Sequence, residues 1–259
     1  MTPATVITGA SAGIGAELAR VFAGHGHALV MVARREQRLA ALAAEIAAAG
    51  KPAPLVLPVD LAQPDAAARL GEVLAARELA PQYIVNNAGF GLVGRAADLD
   101  VAEQLAMIDL NVRALTDLSL AFVDSLARQS GGLLNVASVA GFFPGPGAAV
   151  YYAGKAYVLS LTEALHAELA PLGIRVTCLC PGPVATEFQA RAGVANAPEW
   201  PLAVSAERVA AEAYRGLMSG KRIVLPGWPN RLVASLVPRF VPRPILLAML
   251  GRRQRRRRA

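Results

Sequence analysis

Short apolar runs rich in β-branched residues alternate along this chain with longer stretches whose apolar positions recur every three to four residues. Val6–Thr8 is the first short run. Ile14, Leu18, Val21 and Phe22 follow it at i, i+4, i+7 and i+8, one face of a helix. Residues 28–33 are apolar without a break, as expected of a strand covered on both faces. The pattern predicts further strands at Leu55–Val59, Tyr83–Val85, Leu133–Ala137, Val176–Cys180 and Ile223–Leu225. It predicts helices over 36–49, closed by Gly50, and over 64–79, 101–129, 151–170 and 206–219. This alternation specifies an α/β fold, a doubly wound parallel sheet of about seven strands with helices on both faces and right-handed crossovers. Such sheets bind ligands beyond the C-terminal ends of their strands, so the residues just after each strand are the candidates for chemistry.

Composition narrows the class. The chain has 259 residues, 54% of them hydrophobic and 17% charged, which excludes a disordered chain. The net charge of +7 is misleading as an average. Nine arginines lie from Arg231 onward with no acid among them, so the first 230 residues carry a net −2. The body is therefore not a nucleic-acid-binding surface. We read a single domain over 1–226 and a C-terminal extension over 227–259. Two cysteines exclude a disulfide framework, and His25, His27 and His166 have no ligand spacing and are assigned to the surface or turns, so no metal is expected. The N-terminus reads as a strand rather than a signal peptide. The most apolar tail segment, 232–250, is broken by Arg239, Arg243 and prolines 238, 242 and 244, which argues against a membrane span. The expected location is the cytoplasm, with Cys178 and Cys180 reduced.

Thr8-Gly9-Ala10-Ser11-Ala12-Gly13-Ile14-Gly15 joins the first strand to the first helix. Gly9 permits a tight turn, Gly13 lets backbone approach a pyrophosphate, and Gly15 lets the helix pack close to the sheet. The helix N-terminus then offers unpaired N–H groups to an anion. This spacing resembles the T-G-x-x-x-G-x-G loop of the short-chain dehydrogenase/reductase family, and the resemblance covers residues 4–226. It implies a Rossmann-like nicotinamide-cofactor domain. The second strand ends at Arg34-Arg35 with no acid to hold a ribose 2′-hydroxyl, and guanidiniums suit a 2′-phosphate, so NADP(H) is expected in preference to NAD(H). Ser11 can add a hydrogen bond to that phosphate. In Val59-Asp60-Leu61, the resemblance implies that Asp60 holds the adenine amino group, with a helix N-cap as the competing reading. Asn86-Asn87-Ala88-Gly89 matches the family's N-N-A-G turn, which implies that Asn87, Ala88 and Gly89 shape the cofactor cleft. Pro181-Gly182 and Thr186 match its nicotinamide-side segment.

Tyr151 and Lys155 lie four apart in a helical stretch, hence on one face; Ser138 closes the fifth strand and Asn111 lies in the helix before it. Carbonyl reduction needs a proton at the oxygen. A tyrosine of pKa ~10 is a poor shuttle unless a nearby cation lowers that value. The resemblance makes these four the catalytic tetrad: Tyr151 as acid/base, Lys155 as its modulator and ribose ligand, Ser138 on the substrate oxygen, Asn111 as anchor of a relay water. Tyr152 is excluded because Ala156, not lysine, lies four residues on. Lys155 is one of three lysines (51, 155, 221) in a chain with 23 arginines, so it is not compositional background.

The loop 139–150 has no charge, and the segment 183–204 reads as a lid carrying Phe188 and Trp200. With Phe142 and Phe143 these predict an apolar pocket for a ketoacyl, fatty, aromatic or steroid carbonyl. The tail 231–259 has three readings: packing on the core or a partner subunit, contact with a membrane surface, or nucleic acid through Arg252–Arg258, the last disfavoured by the acidic body. Resemblance implies a homodimer or homotetramer through the helices 101–129 and 151–170. The alternative to an enzyme is a non-catalytic NADP(H) sensor or a peripheral membrane adaptor, against which the intact tetrad argues.

Overall fold

The computed structural model describes residues 1–193 and 203–256, with side chains to Gly251. Seven parallel strands form one sheet, β1 (Thr2–Thr8), β2 (Leu29–Ala33), β3 (Leu55–Pro58), β4 (Leu79–Asn86), β5 (Gly132–Val136), β6 (Arg175–Leu179) and β7 (Ile223–Val224). Their order is β3-β2-β1-β4-β5-β6-β7. The chain leaves β1 toward β2 on one side and returns as β4 on the other. The crevice at this reversal opens at the C-terminal ends of β1 and β4. Strands β2 and β5 are buried at every position, which accounts for the unbroken apolar run of β2; in β5 the buried Asn135 is satisfied by Asn86 and Thr162.

The helices α1 (Gly13–Gly24), α2 (Glu36–Ala48), α3 (Ala66–Ala76), α4 (Val101–Ile108), α5 (Leu115–Ala121), α6 (Val123–Arg128), α7 (Ala149–Leu169), α8 (Glu187–Arg191), α9 (Ala206–Met218), α10 (Trp228–Phe240) and α11 (Arg243–Arg256) complete the chain. One apolar cluster packs α1, α2 and α9 on one sheet face, around Phe22, Met31 and Leu134. Another packs α3, α5 and α7 on the other, around Leu70, Ile84 and Leu133.

Four expectations need correction. The helix expected over 64–79 stops at Ala76, because Glu78 turns into the left-handed region (φ 53°) and Leu79 starts β4. The helix expected over 101–129 is three helices and a π turn, Asp109–Ala114. Hydroxyls of Thr116 and Ser119 bond the carbonyls of Val112 and Leu115 four residues back, which bends this stretch. Strand β1 starts at Thr2, because Thr2–Ala4 pair with Leu79–Pro81 of β4. His27, expected at the surface or in a turn, is half-buried among Phe22, Tyr83 and Tyr214, and its Nε2 meets the Tyr214 hydroxyl at 3.2 Å.

Helix α10 folds back on the domain. Asn230 and Ala234 are buried, Asn230 against Gly182, and α10 meets the turn Val139–Phe142. Among the described residues no helix is long and apolar enough to cross a membrane.

Candidate active site

The cleft is built from the loops that follow β1, β2, β4, β5 and β6. Gly9 has φ +66°, and a side chain there would press on Ala88 and Asn87. Gly15 lies against the Gly9 carbonyl and the Asn87 amide, with no room for a Cβ. The glycine loop and the N-N-A-G turn thus touch through backbone. Asn87 Nδ2 donates to the carbonyls of Thr8 (2.9 Å) and Gly9 (3.3 Å). Thr8 Oγ1 accepts from the N–H groups of Asn87 (2.9 Å) and Ala88 (3.0 Å) and donates to Val85 O. Sequence reasoning quoted Thr8 in the motif but gave it no role; it is the peg between the two loops. Gly13 (φ +55°) faces Thr186, so Ile14 and the start of α1 lie beside the Pro181–Thr186 segment. The glycines allow this close packing, and it brings the start of α1, which has no side-chain cap, to the C-terminal end of β1 with its N–H groups free for an anion, which fits the pyrophosphate of a dinucleotide.

At the end of β2, Arg35 Nε and Nη2 reach Ser11 Oγ at 3.2 and 3.1 Å. Its Nη1 donates to Glu187 Oε2 at 2.7 Å, and Arg38 Nη1 donates to the other Glu187 oxygen. Arg34 is exposed beside them. Burial lowers the Arg191 pKa, and repulsion from Arg34 and Arg35 lowers it further. Arg35 thus joins Ser11 to a Glu187 carboxylate shared with Arg38, with Arg34 exposed alongside and Arg191 close enough to feel the charge of Arg34 and Arg35, a positive field that fits a 2′-phosphate. Arg38, Arg191 and Glu187 were absent from the residues singled out by sequence. Arg38 lies in the first turn of α2 and reads there as solvated helix surface. Asp60 Oδ1 accepts from Ala62 N at 3.1 Å, closing a turn after β3 beside Leu61. The N-cap of α3 is Asp65, so the capping alternative for Asp60 does not hold.

On the chemical side, Ser138, Tyr151 and Lys155 come together where β5 ends against α7. Ser138 caps the turn after β5, accepting from Ala140 N at 3.1 Å. Its hydroxyl hydrogen has two outlets, the Pro181 carbonyl at 3.4 Å and the Tyr151 oxygen. Loss of water around the Tyr151 hydroxyl pushes its pKa up to about 12; the Ser138 hydrogen bond opposes this. Burial pushes Lys155 down to about 8. Its Nζ donates to Val136 O at 2.8 Å and lies 5.9 Å from the Tyr151 ring centre. The expectation that Lys155 lowers the Tyr151 pKa is therefore not met in this geometry. One of the three ammonium N–H groups goes to a backbone carbonyl, and burial dominates both groups.

Asn111 sits in the π turn, buried. Its side chain is committed to the backbone of Phe90, accepting from N at 3.1 Å and donating to O at 2.8 Å. A Cβ on Gly89 would stand 2.8 Å from Asn111 Oδ1 and 3.8 Å from Lys155 Nζ, so the N-N-A-G turn closes directly over both. Tyr152 packs on Gly145 and meets the Tyr151 ring edge-on. Cys178 and Cys180 are buried free thiols 3.6 Å apart beneath Lys155.

Phe188 of α8 covers the site, its ring 5.6 Å from that of Tyr151. Phe142, half-buried, packs against a third apolar cluster with Leu115, Val158 and Cys178. Trp200 lies outside the described residues.

The family profile described as short chain dehydrogenase matches residues 3–196. Sulfoacetaldehyde reductase 2 of Chromohalobacter salexigens is 37% identical over 191 residues, 73% of this chain and 75% of that protein. Among solved structures, a short-chain dehydrogenase from Sphingobium yanoikuyae in complex with NADPH superposes with a TM-score of 0.78 at 32% identity, covering 98% of this chain and 94% of that one. The bulky-bulky ketone specific alcohol dehydrogenase from Comamonas testosteroni gives 0.75 at 31%, covering 87% and 86%. With the glycine loop, the N-N-A-G turn and the Ser138–Tyr151–Lys155 cluster in one cleft, the chain belongs to the short-chain dehydrogenase/reductase family and is an oxidoreductase acting on CH–OH groups.

Proposed function

We propose that this enzyme prefers NADP(H) to NAD(H) and interconverts a carbonyl and an alcohol on an apolar substrate. The observation that carries the cofactor reading is the Arg35–Ser11 pair with Arg34 and Arg38 beside it, at a strand end with no carboxylate of its own. Gly9, Gly13, Ile14 and Gly15 would hold the pyrophosphate. Asp60 and Leu61 would flank the adenine, with Asn87, Ala88 and Gly89 along the ribose, Lys155 on its hydroxyls, and Pro181, Gly182 and Thr186 at the nicotinamide. The bound cofactor supplies the hydride.

The chain's own part is proton chemistry and positioning. Tyr151, neutral at physiological pH, donates its phenolic proton to the nascent alkoxide in reduction and takes it back in oxidation. Ser138 turns its hydroxyl from Pro181 O toward the substrate oxygen and polarises it. Lys155 is poised to lose or regain a proton near neutrality and stabilises tyrosinate when its ammonium leaves Val136 O. Asn111 fixes Phe90 and the N-N-A-G turn through its side chain, so a relay water there rests on its backbone.

Phe188 against Tyr151, and an uncharged loop 139–150, support an apolar substrate such as a bulky ketone, the class named for the Comamonas relative. Val101, Leu105 and Ile108 form an exposed stripe on α4, with Leu120 and Tyr157 exposed on α5 and α7; pairing of subunits through these helices would cover them. The enzyme is read as cytoplasmic, with a tail that touches the inner membrane face. On α10, Trp228, Leu232, Leu236 and Phe240 face outward along one stripe, the first and last 71% and 72% exposed, beside Arg231 and Arg239. An outward apolar face edged by arginine, in a tail without acids, suits an anionic bilayer surface.

One titration tests the core of this reading. NADPH should quench or shift protein fluorescence with an affinity at least about tenfold above NADH, roughly 1.4 kcal/mol. Comparable affinities would remove the phosphate argument. Reduction of small polar ketones far faster than lipophilic ones would overturn the substrate class. Sedimentation with phosphatidylglycerol vesicles but not phosphatidylcholine vesicles is expected of the full chain, and indifference to the anionic lipid would remove the membrane contact.

A further inference from the structure

The guanidinium cluster is already engaged by an acid. Glu187 opens α8 and divides its carboxylate between Arg35 and Arg38, one oxygen to each. The three side chains are about half exposed. Ion pairs this open change an equilibrium by no more than about fivefold. The arrangement has the form of an anion site: two guanidiniums, a serine hydroxyl held by Arg35, and a negative group between them.

We propose that Glu187 is a specificity-determining residue of the cofactor site, a built-in competitor for the 2′-phosphate. A cofactor with that phosphate displaces the carboxylate from Arg35 and Arg38 and releases the start of α8; a cofactor with a 2′-hydroxyl leaves the pair closed. The inference rests on the NADP(H) reading. A phosphomonoester carries a charge of about −1.5 to −2 and three acceptor oxygens, against one charge and two oxygens on Glu187, so the exchange runs toward the phosphate.

The release has a consequence at the chemical centre. Phe188 follows Glu187 directly and packs on Tyr151, with its Cζ filling the space that a Cβ on Gly91 would need. The far end of α8 has its own anchors: Ala192 O accepts from Val93 N at 3.0 Å, and the Arg191 guanidinium stands 4.2 Å from the Phe90 ring. With Glu187 displaced, the near end rests only on the long Thr186 cap, whose Oγ1 accepts from Phe188 N at 3.4 Å, so Phe188 swings about the anchored far end and uncovers Tyr151. The 2′-phosphate thus selects its cofactor and opens the way to the proton donor, in that order.

The test uses 2′,5′-ADP and 5′-ADP, which differ only in the phosphate, titrated into the full-length wild type and Glu187→Gln. The exposed position makes this variant benign to folding, and circular dichroism checks it. The variant should bind 2′,5′-ADP about three- to fivefold tighter than wild type, with 5′-ADP unchanged. In wild type, the backbone amides of 188–192 should exchange hydrogen faster on adding 2′,5′-ADP but not 5′-ADP. If wild type favours 2′,5′-ADP and the variant gains nothing or binds it more weakly, Glu187 is a helper rather than a competitor and the inference fails alone. If tighter binding comes without faster exchange, the link to Phe188 fails. If wild type does not distinguish the two ligands, the NADP(H) reading falls and takes this one with it.

Discussion

Gly9, Gly15 and Asn87 meet through backbone and the first atoms of short side chains, whereas Arg35, Arg38 and Glu187, across the same groove, meet only at the tips of long ones. The first wall has no slack. Thr8 Oγ1 serves two N–H groups and a carbonyl, and there is no room for a methyl at Gly15. The second wall is about half exposed and held by pairs that salt and competing anions loosen. The contrast separates what every reaction in this cleft needs from what selects one cofactor. Substitutions on the inner wall should cost the fold or the chemistry, and those on the outer wall should trade selectivity in small factors.

The largest effect is expected at Tyr151. Tyr151→Phe keeps the ring that packs on Phe188 and Tyr152 and removes only the hydroxyl. Turnover should fall by about 10³-fold while NADPH binds nearly as before. A variant with substantial turnover would take proton transfer away from Tyr151. Next comes Gly15→Ala, which sets a methyl against the Gly9 carbonyl and the Asn87 amide, with backbone on one side and a committed side chain on the other. Since neither can yield, the cost should be about 3 kcal/mol or loss of the native fold, read as a drop in denaturant midpoint. A midpoint close to wild type would mean that the two loops separate easily, and the inner wall would be no more rigid than the outer.

Lys155 tests the inner wall through pH. Its folded pKa of about 8 lies below its ordinary 10.5, so between these values the unfolded chain binds more protons and stability rises with pH. The buried cation therefore costs the native state most below pH 8, by about 3 kcal/mol. Lys155→Met removes that cost but leaves Val136 O without its donor, a loss of about 1 kcal/mol. The variant should be inactive yet more stable by about 2 kcal/mol at pH 7, and the gain should shrink between pH 8 and 10.5. Above pH 10 the sign reverses for the wild type. Tyr151 keeps its proton to about 12 in the fold and loses it near 10 when unfolded, so stability declines there. Thermal melts of both proteins from pH 6 to 11 check this; a gain that does not depend on pH would mean that Lys155 is not strained by burial.

The same contrast explains what could be read from sequence. The strands were legible because burial on both faces leaves mostly apolar residues, and the glycine loop because sterics allow nothing else at Gly9 and Gly15. The π turn at Asn111 was not, since apolar spacing runs through Asp109–Ala114 as it would through an α-helix and only the backbone departs. Helix α10 was not anticipated, since the arginines and prolines of this tail obscure its apolar spacing. Asn230 and Ala234 face the domain, while Trp228 and Phe240 face out. Phe142, four residues after Ser138, packs against another cluster. Arg38 and Glu187 lie 149 positions apart, and no local pattern pairs them.

The smallest effect is expected on the outer wall. Arg35→Ala removes the two N–H groups on Ser11 and one hold on Glu187, leaving Arg38 as the other. No apolar core is touched, so the fold should persist. Arg34 and Arg38 remain to attract a phosphate, which limits the loss. NADPH affinity should fall about tenfold, roughly 1.4 kcal/mol, while NADH affinity stays, and the gap between the variants should narrow as salt is raised. Equal weakening for both cofactors would mean that Arg35 shapes the groove instead of reading the phosphate, because a structural defect does not distinguish a 2′-hydroxyl from its phosphate ester. The boundary between the two walls would then run through Arg35, leaving selectivity to Arg34 and Arg38.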